Sequence, residues 1–184
     1  MYMRSKFGGL AAFTLVAAAI FSVAIFRTED LHPSAALFIA PDTPVRITTP
    51  SIQLDTPVIT LGLVGDTLQI DTPADQNLAG WFHRSTPPGT PGTTFINGHT
   101  PGVFSRLHEL SLSQLIQVHT ADGNVHTYVI HENYTLPNHQ IDLAALLAPG
   151  PDRSRLVLMT CAGEFRDHLG TYDHRTIIIA YATP

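Results

Sequence analysis

Three side chains in this 184-residue chain are of the kinds that acyl transfer at a carbonyl requires: a thiol, an imidazole and a guanidinium. Cys161 is the only cysteine, so it cannot form an intramolecular disulfide. Its sulfur is either a small buried hydrophobe or a reactive group. It follows the run Leu156-Val157-Leu158-Met159-Thr160, at the C-terminal end of a predicted buried strand, where a side chain can leave the core and face a groove. Nucleophilic catalysis by cysteine needs the thiolate, an imidazole to carry the proton and donors for the developing oxyanion. Among ten histidines, His99 has the comparable placement, directly after Asn97-Gly98 at the end of the predicted strand Thr93–Asn97, where the glycine permits a sharp exit. Arg175 stands immediately before the last apolar strand, and Arg166, five residues after the cysteine, is its rival as the cation. His119, His126 and His131 lie on a predicted hairpin. His126 and His131 are an odd number of residues apart and face opposite sides of a regular strand, so they read as exposed polar positions. No metal and no cofactor is expected.

The elements that must position these groups are mostly strands. Val45–Thr48, Val58–Leu61 and Thr67–Ile70 read as short strands punctuated by Pro50, Gly62 and Gly65. Trp81-Phe82 precedes a loop rich in proline and glycine, Ser85–Gly92. Leu115–His119 and Val125–His131 flank Ala121-Asp122-Gly123-Asn124, a strong turn sequence. Ile141–Leu147 has room for one or two helical turns. Arg155–Thr160 and Thr176–Tyr181 are continuous apolar runs, which mark strands buried on both faces. Many short strands at this spacing predict a mainly β domain, a closed barrel or a sandwich, with short helices.

Gly8–Phe26 is a run of 19 residues without a charge, preceded by Arg4 and Lys6 and followed by Arg27, Glu29 and Asp30. As a helix it would be about 28 Å long, close to a hydrocarbon core. The basic residues on its leading side predict a cytoplasmic N-terminus and an extracytoplasmic remainder. An uncleaved anchor over residues 1–27 is expected; a signal peptide cleaved near Ser22-Val23-Ala24 is the alternative, and either exports the domain. Residues 28–44, with Pro33, Pro41 and Pro44, read as a linker, and 45–184 as one domain. In an oxidising compartment a lone thiol is exposed to damage unless buried or used. Net charge is −5 with no basic cluster, so nucleic acid is not an expected partner.

The sequence resembles the sortases, membrane-anchored cysteine transpeptidases of bacterial surfaces. In that family a strand ending Thr-Leu-x-Thr-Cys carries the nucleophile, and this chain has Val157-Leu158-Met159-Thr160-Cys161. Gly98-His99 is similar to the Gly-His pair that carries the family's histidine. Arg175-Thr176-Ile177-Ile178-Ile179 fits the Arg-x-Ile-x-Val pattern of its arginine. Pro50–Val58, Gly80-Trp81-Phe82 and Gly102–Leu107 agree in order, so the likeness runs from about Arg46 to Tyr181. It departs at Asn97, where a small residue usually precedes Gly-His, at Ser113-Gln114 for a common Gly-Asp, and at Thr49 for an apolar residue before proline.

The resemblance implies a closed barrel of about eight strands and a catalytic set of His99, Cys161 and Arg175. It implies that Cys161 attacks a Leu-Pro-x-Thr-Gly-like sorting signal and forms a thioester. The acyl group then passes to an amine of a cell-wall precursor or a pilin. No second apolar span follows Tyr181, which favours a housekeeping-like or actinobacterial type over the pilus-polymerising one. Two other readings are an exported cysteine peptidase that only hydrolyses and a non-catalytic barrel that binds a wall peptide. A papain-like arrangement fits poorly, because there cysteine precedes histidine and lies on a helix.

Overall fold

The computed structural model describes residues 39–183 apart from positions 66, 68 and 151, and in it the short apolar runs join edge to edge. Eight strands result: β1 (Pro44–Thr49), β2 (Leu54–Leu61), β3 (Ala79–Phe82), β4 (Gly92–Gly98), β5 (Leu115–Thr120), β6 (Val125–Pro137), β7 (Ser154–Arg166) and β8 (Thr171–Ala182). They close into a barrel in the order β1-β2-β3-β4-β7-β8-β6-β5. The pairs β2–β3 and β4–β7 are parallel and the rest antiparallel. The expected anchor and most of the linker lie outside the described residues. No helix among the described residues is long and apolar enough to cross a membrane.

Side chains alternate across a strand, and here both sides are covered. From β7 and β8, Leu156, Leu158, Ile178 and Ala180 fill the barrel with Ile47, Ile96 and Tyr128. Val157, Met159, Ile177 and Ile179 point outward and pack with Ile70, Phe82 and one short helix, α1 (Leu143–Leu147). Double coverage explains why these two strands read as continuous apolar runs. The Asp142 side chain accepts the Ala145 N–H at 2.9 Å and so caps α1. Arg155 closes its other end, donating from Nη2 to the Leu146 and Ala148 carbonyls at 3.1 and 2.9 Å and from Nε to Thr93 Oγ1 at 3.0 Å.

Three expectations about strands need correction. Among the described residues Thr67–Ile70 forms no strand, and one bridge forms there, Leu63 with Ile70. The segment belongs to the crossover from β2 to β3, which run parallel and cannot be joined by a tight turn. The strand is instead Ala79–Phe82, a four-residue run buried throughout that shows no alternation. β7 does not end at Cys161 but continues to Arg166, and β8 begins at Thr171, four residues before Arg175. The reason is that β4 stops at Gly98, opposite Thr160, and β6 at Pro137, opposite His174, so past Ala162 and His174 β7 and β8 pair only with each other as a protruding ribbon. Its polar residues conceal it from an apolar pattern.

Candidate functional site

Register brings the three residues together. In the parallel β4–β7 pair Gly98 lies opposite Thr160, and in the antiparallel β7–β8 pair Cys161 lies opposite Arg175. His99 is the next residue beyond Gly98, just past the end of β4, so its backbone lies beside the strand that carries Cys161. Cys161 and Arg175 have the parity of the outward-facing Val157 and Ile177, on the side of the sheet that α1 covers.

Cys161 is half-buried and borders two cavities. One, of about 190 Å³, is shared with Arg175 and also lined by Gln69, Thr72, Asn97, Leu143 and Met159. The other, of about 350 Å³, lies towards the barrel mouth, with Thr100, His108, Thr135, Tyr172 and Thr176 on its walls. A further cleft, of about 340 Å³, is bounded by Asp55, Asn77 and Arg106 and contains none of the three residues.

Arg175 and its rival differ in what holds them. Arg175 Nη1 donates to Asn138 Oδ1 and to the Tyr172 and His174 carbonyls at 2.9, 3.0 and 2.8 Å, and Nη2 donates to Thr171 Oγ1 at 3.1 Å. Every acceptor is neutral, and no ion pair among the described residues includes Arg175. Its charge is therefore oriented but not compensated, which suits it to a transient anion. Arg166 is committed instead, to Glu164 at 2.9 Å and to Asp173 at 2.7 Å. Asp173 also accepts from His174 Nδ1 at 2.6 Å and from the Glu164 N–H at 2.9 Å. The His174 hydrogen bond, then the Glu164 N–H and Arg166, hold the Asp173 carboxyl well below the usual carboxylate range. The ribbon makes room for this cluster at Gly163 (φ +78°), where a Cβ would come 2.2 Å from Asp173 Oδ1.

His99 is held from its far side. Its Nε2 lies 2.6 Å from the Pro73 carbonyl, and a carbonyl only accepts, so Nε2 carries the proton. The ring borders neither cavity beside Cys161. Gly98 serves packing rather than a sharp exit: a Cβ there would stand 2.8 Å from the Phe104 ring and 3.0 Å from Val103. Thr160 Oγ1 donates to the Gly98 carbonyl at 2.8 Å and lies 2.8 Å from Thr100 Oγ1, which ties the loop after His99 to the residue before Cys161. Sequence reasoning missed Asn138 and Thr100 as supports. Asn138 adjoins no motif, and although Thr100 follows Gly98-His99 directly, only the folded register brings it to Thr160.

The arrangement pairs an accessible thiol with a guanidinium in one cavity, with a tautomer-fixed imidazole just past the end of the neighbouring strand, a set suited to acyl transfer. His131 takes no part; its ring packs edge-on against Tyr181, with centroids 5.1 Å apart. Cys161 lies on a strand, unlike the helix-borne cysteine of the papain arrangement.

The barrel is shared with known proteins. The chain is similar to sortase C-1 from Actinomyces oris, at 21% identity over 77% of this chain and 74% of that one, with a TM-score of 0.60. It is similar to a Clostridium perfringens sortase D5 transpeptidase, at 21% identity over 80% and 83% of the two chains, TM-score 0.58. It also resembles sortase A from Corynebacterium diphtheriae, at 20% identity over 77% and 61%, TM-score 0.57. Their names span several sortase classes, and at such identities the likeness establishes the fold. No curated protein matches. The sortase domain model, however, matches residues 47–183, from inside β1 to just past β8. On that match the chain belongs to the sortase family, whose members are generally cysteine transpeptidases.

Proposed function

We propose that this chain is a membrane-anchored transpeptidase with its barrel outside the membrane, joining a sorting-signal peptide to an amine through a thioester on Cys161. The observation that carries the reading is the pairing of Cys161 with Arg175 across β7 and β8, with the thiol opening onto a cavity that the guanidinium shares and His99 just past the end of the neighbouring β4. The Cys161 thiolate attacks the carbonyl between threonine and glycine of a Leu-Pro-x-Thr-Gly-like motif. Negative charge develops on the carbonyl oxygen, and Arg175 stabilises it; donors aimed at such an oxyanion are worth about 10²–10³ in rate. As the intermediate collapses, the C–N bond breaks, His99 as imidazolium protonates the departing amine, and a thioester remains. An incoming amine of a cell-wall precursor or pilin loses its proton to the neutral imidazole and attacks the thioester. A new amide forms and the thiolate is released. A thioester resists water better than it resists amines, so transfer outruns hydrolysis.

Intact-mass spectrometry of the full chain mixed with a sorting-motif peptide and no amine tests this. A mass increase equal to the peptide up to its threonine, reversed by hydroxylamine and missing in Cys161→Ala, is expected. A barrel that merely binds wall peptides gives no covalent adduct, and that result would refute the reading.

A further inference from the structure

We infer that Asn97 is a positioning residue for His99: its side-chain amide clasps the Asp71 carbonyl and thereby fixes the Pro73 carbonyl that holds the imidazole. The inference rests on reading His99 as the proton carrier. Phe95 and Asn97 alternate along the outward row of β4, which ends at Gly98, and His99 follows directly. Asn97 Nδ2 donates to the Asp71 carbonyl at 2.8 Å, and His99 Nε2 donates to the Pro73 carbonyl at 2.6 Å. Two side chains two residues apart on one chain thus grip two carbonyls two residues apart on the segment that crosses it. The second is the only hydrogen bond of the His99 ring among the described residues.

Backbone stiffness transmits the grip. Proline fixes φ at Pro73 and restricts Thr72 before it, so few free torsions separate the Asp71 anchor from the Pro73 carbonyl. Asp71 is anchored on both sides: its N–H donates to the Gly62 carbonyl at 3.1 Å, and its own carbonyl takes the Asn97 amide. Gln69, Ile70 and Thr72 of the same segment wall the cavity beside Cys161.

Asn97 is a costly choice on stability grounds alone. It is 5% exposed, and its Oδ1 is buried without a hydrogen-bond partner. A buried acceptor left unpaired opposes folding, which a small apolar residue would avoid. What the amide supplies in return is the N–H to Asp71. The fold also makes space for it: Gly80 lies opposite Asn97 in the β3–β4 pair, and a Cβ there would come 3.0 Å from Asn97 Oδ1 and 2.0 Å from Leu61 Cδ1.

The test is nitrogen NMR of the full chain in mild detergent, labelled with ¹⁵N at histidine, with the His99 signals identified by their loss in His99→Gln. Wild type is expected to show a single Nε2–H tautomer with a ring proton protected from exchange. In Asn97→Ala, and in Asn97→Asp, which keeps the size but removes the donor, the signals should average between tautomers and the ring proton should exchange at least tenfold faster. Turnover should fall roughly ten- to hundredfold, as misplacement of a reacting group by a fraction of an ångström to an ångström allows. A mixed tautomer in wild type overturns the inference without any variant. An unchanged His99 tautomer in either variant that retains a cooperative thermal transition also overturns it. The readout does not require activity, so a wild-type chain that forms no thioester would defeat the functional reading while this result still stood on its own.

Discussion

Arg175 is held by four hydrogen bonds to neutral acceptors and Cys161 by its strand alone, so the two residues respond differently to substitution. Arg175→Ala should lower kcat/KM about 10²–10³-fold, the usual loss for an oxyanion donor. Arg175→Lys should recover little, because an ammonium cannot reach Asn138, Thr171 and the Tyr172 carbonyl while facing the cavity. Steady-state kinetics on a sorting peptide checks both; full activity in the lysine variant would mean that charge alone matters. The candidate residues could be picked out in the sequence, since one thiol stands out in 184 residues and His99 and Arg175 flank apolar runs. The choice between Arg175 and Arg166 was not readable from spacing. It depends on Asp173 folding back across a ribbon whose register shifts between Ala162 and Phe165, around Gly163.

At the scale of elements, the β7–β8 ribbon extends from the proposed nucleophile, and Asp173 clamps it. The folded Asp173 carboxyl titrates below its ordinary value of 3.8, so the charged form is favoured by folding. Its contribution is complete above that value and is lost as pH falls below it towards the folded one. The protection factor of the Glu164 amide, which donates to Asp173, should therefore be high and constant from pH 7 to about 5 and fall in acid. Asp173→Asn should expose the ribbon at neutral pH and abolish the acid dependence; equal protection in wild type and variant at pH 7 would contradict this. On the opposite wall, Arg155 holds α1 by its terminal carbonyls. Arg155→Met should raise KM several-fold with less change in kcat, because α1 contributes Leu143 to the cavity but touches none of the three reacting groups. The ribbon and β3 escaped sequence reading for opposite reasons. One is too polar and the other too short and uniformly buried to show a period.

For the molecule as a whole, the mainly β class follows from many short strands and two doubly buried ones, and that much was legible; the strand pattern left barrel and sandwich open, and only the family resemblance implied closure. The parallel β4–β7 contact was not, because it joins segments about sixty residues apart with nothing local to specify it. Yet this contact aligns Gly98 with Thr160 and so creates the site. Leu158, without exposed surface at the centre of β7, should be a whole-barrel determinant. Leu158→Ala is expected to cost about 2–5 kcal/mol in a single cooperative transition, read by thermal or urea unfolding. Two separate transitions would mean that the sheet does not fold as one unit. The most direct test of the central claim is a ligation assay of the full chain with a fluorescent Leu-Pro-x-Thr-Gly peptide and increasing amine, run beside Cys161→Ala. Expected is a product in which the peptide up to threonine is joined to the amine, rising with amine concentration and missing in the variant. Ligation that persists in Cys161→Ala, or hydrolysis alone at every amine concentration, would contradict it.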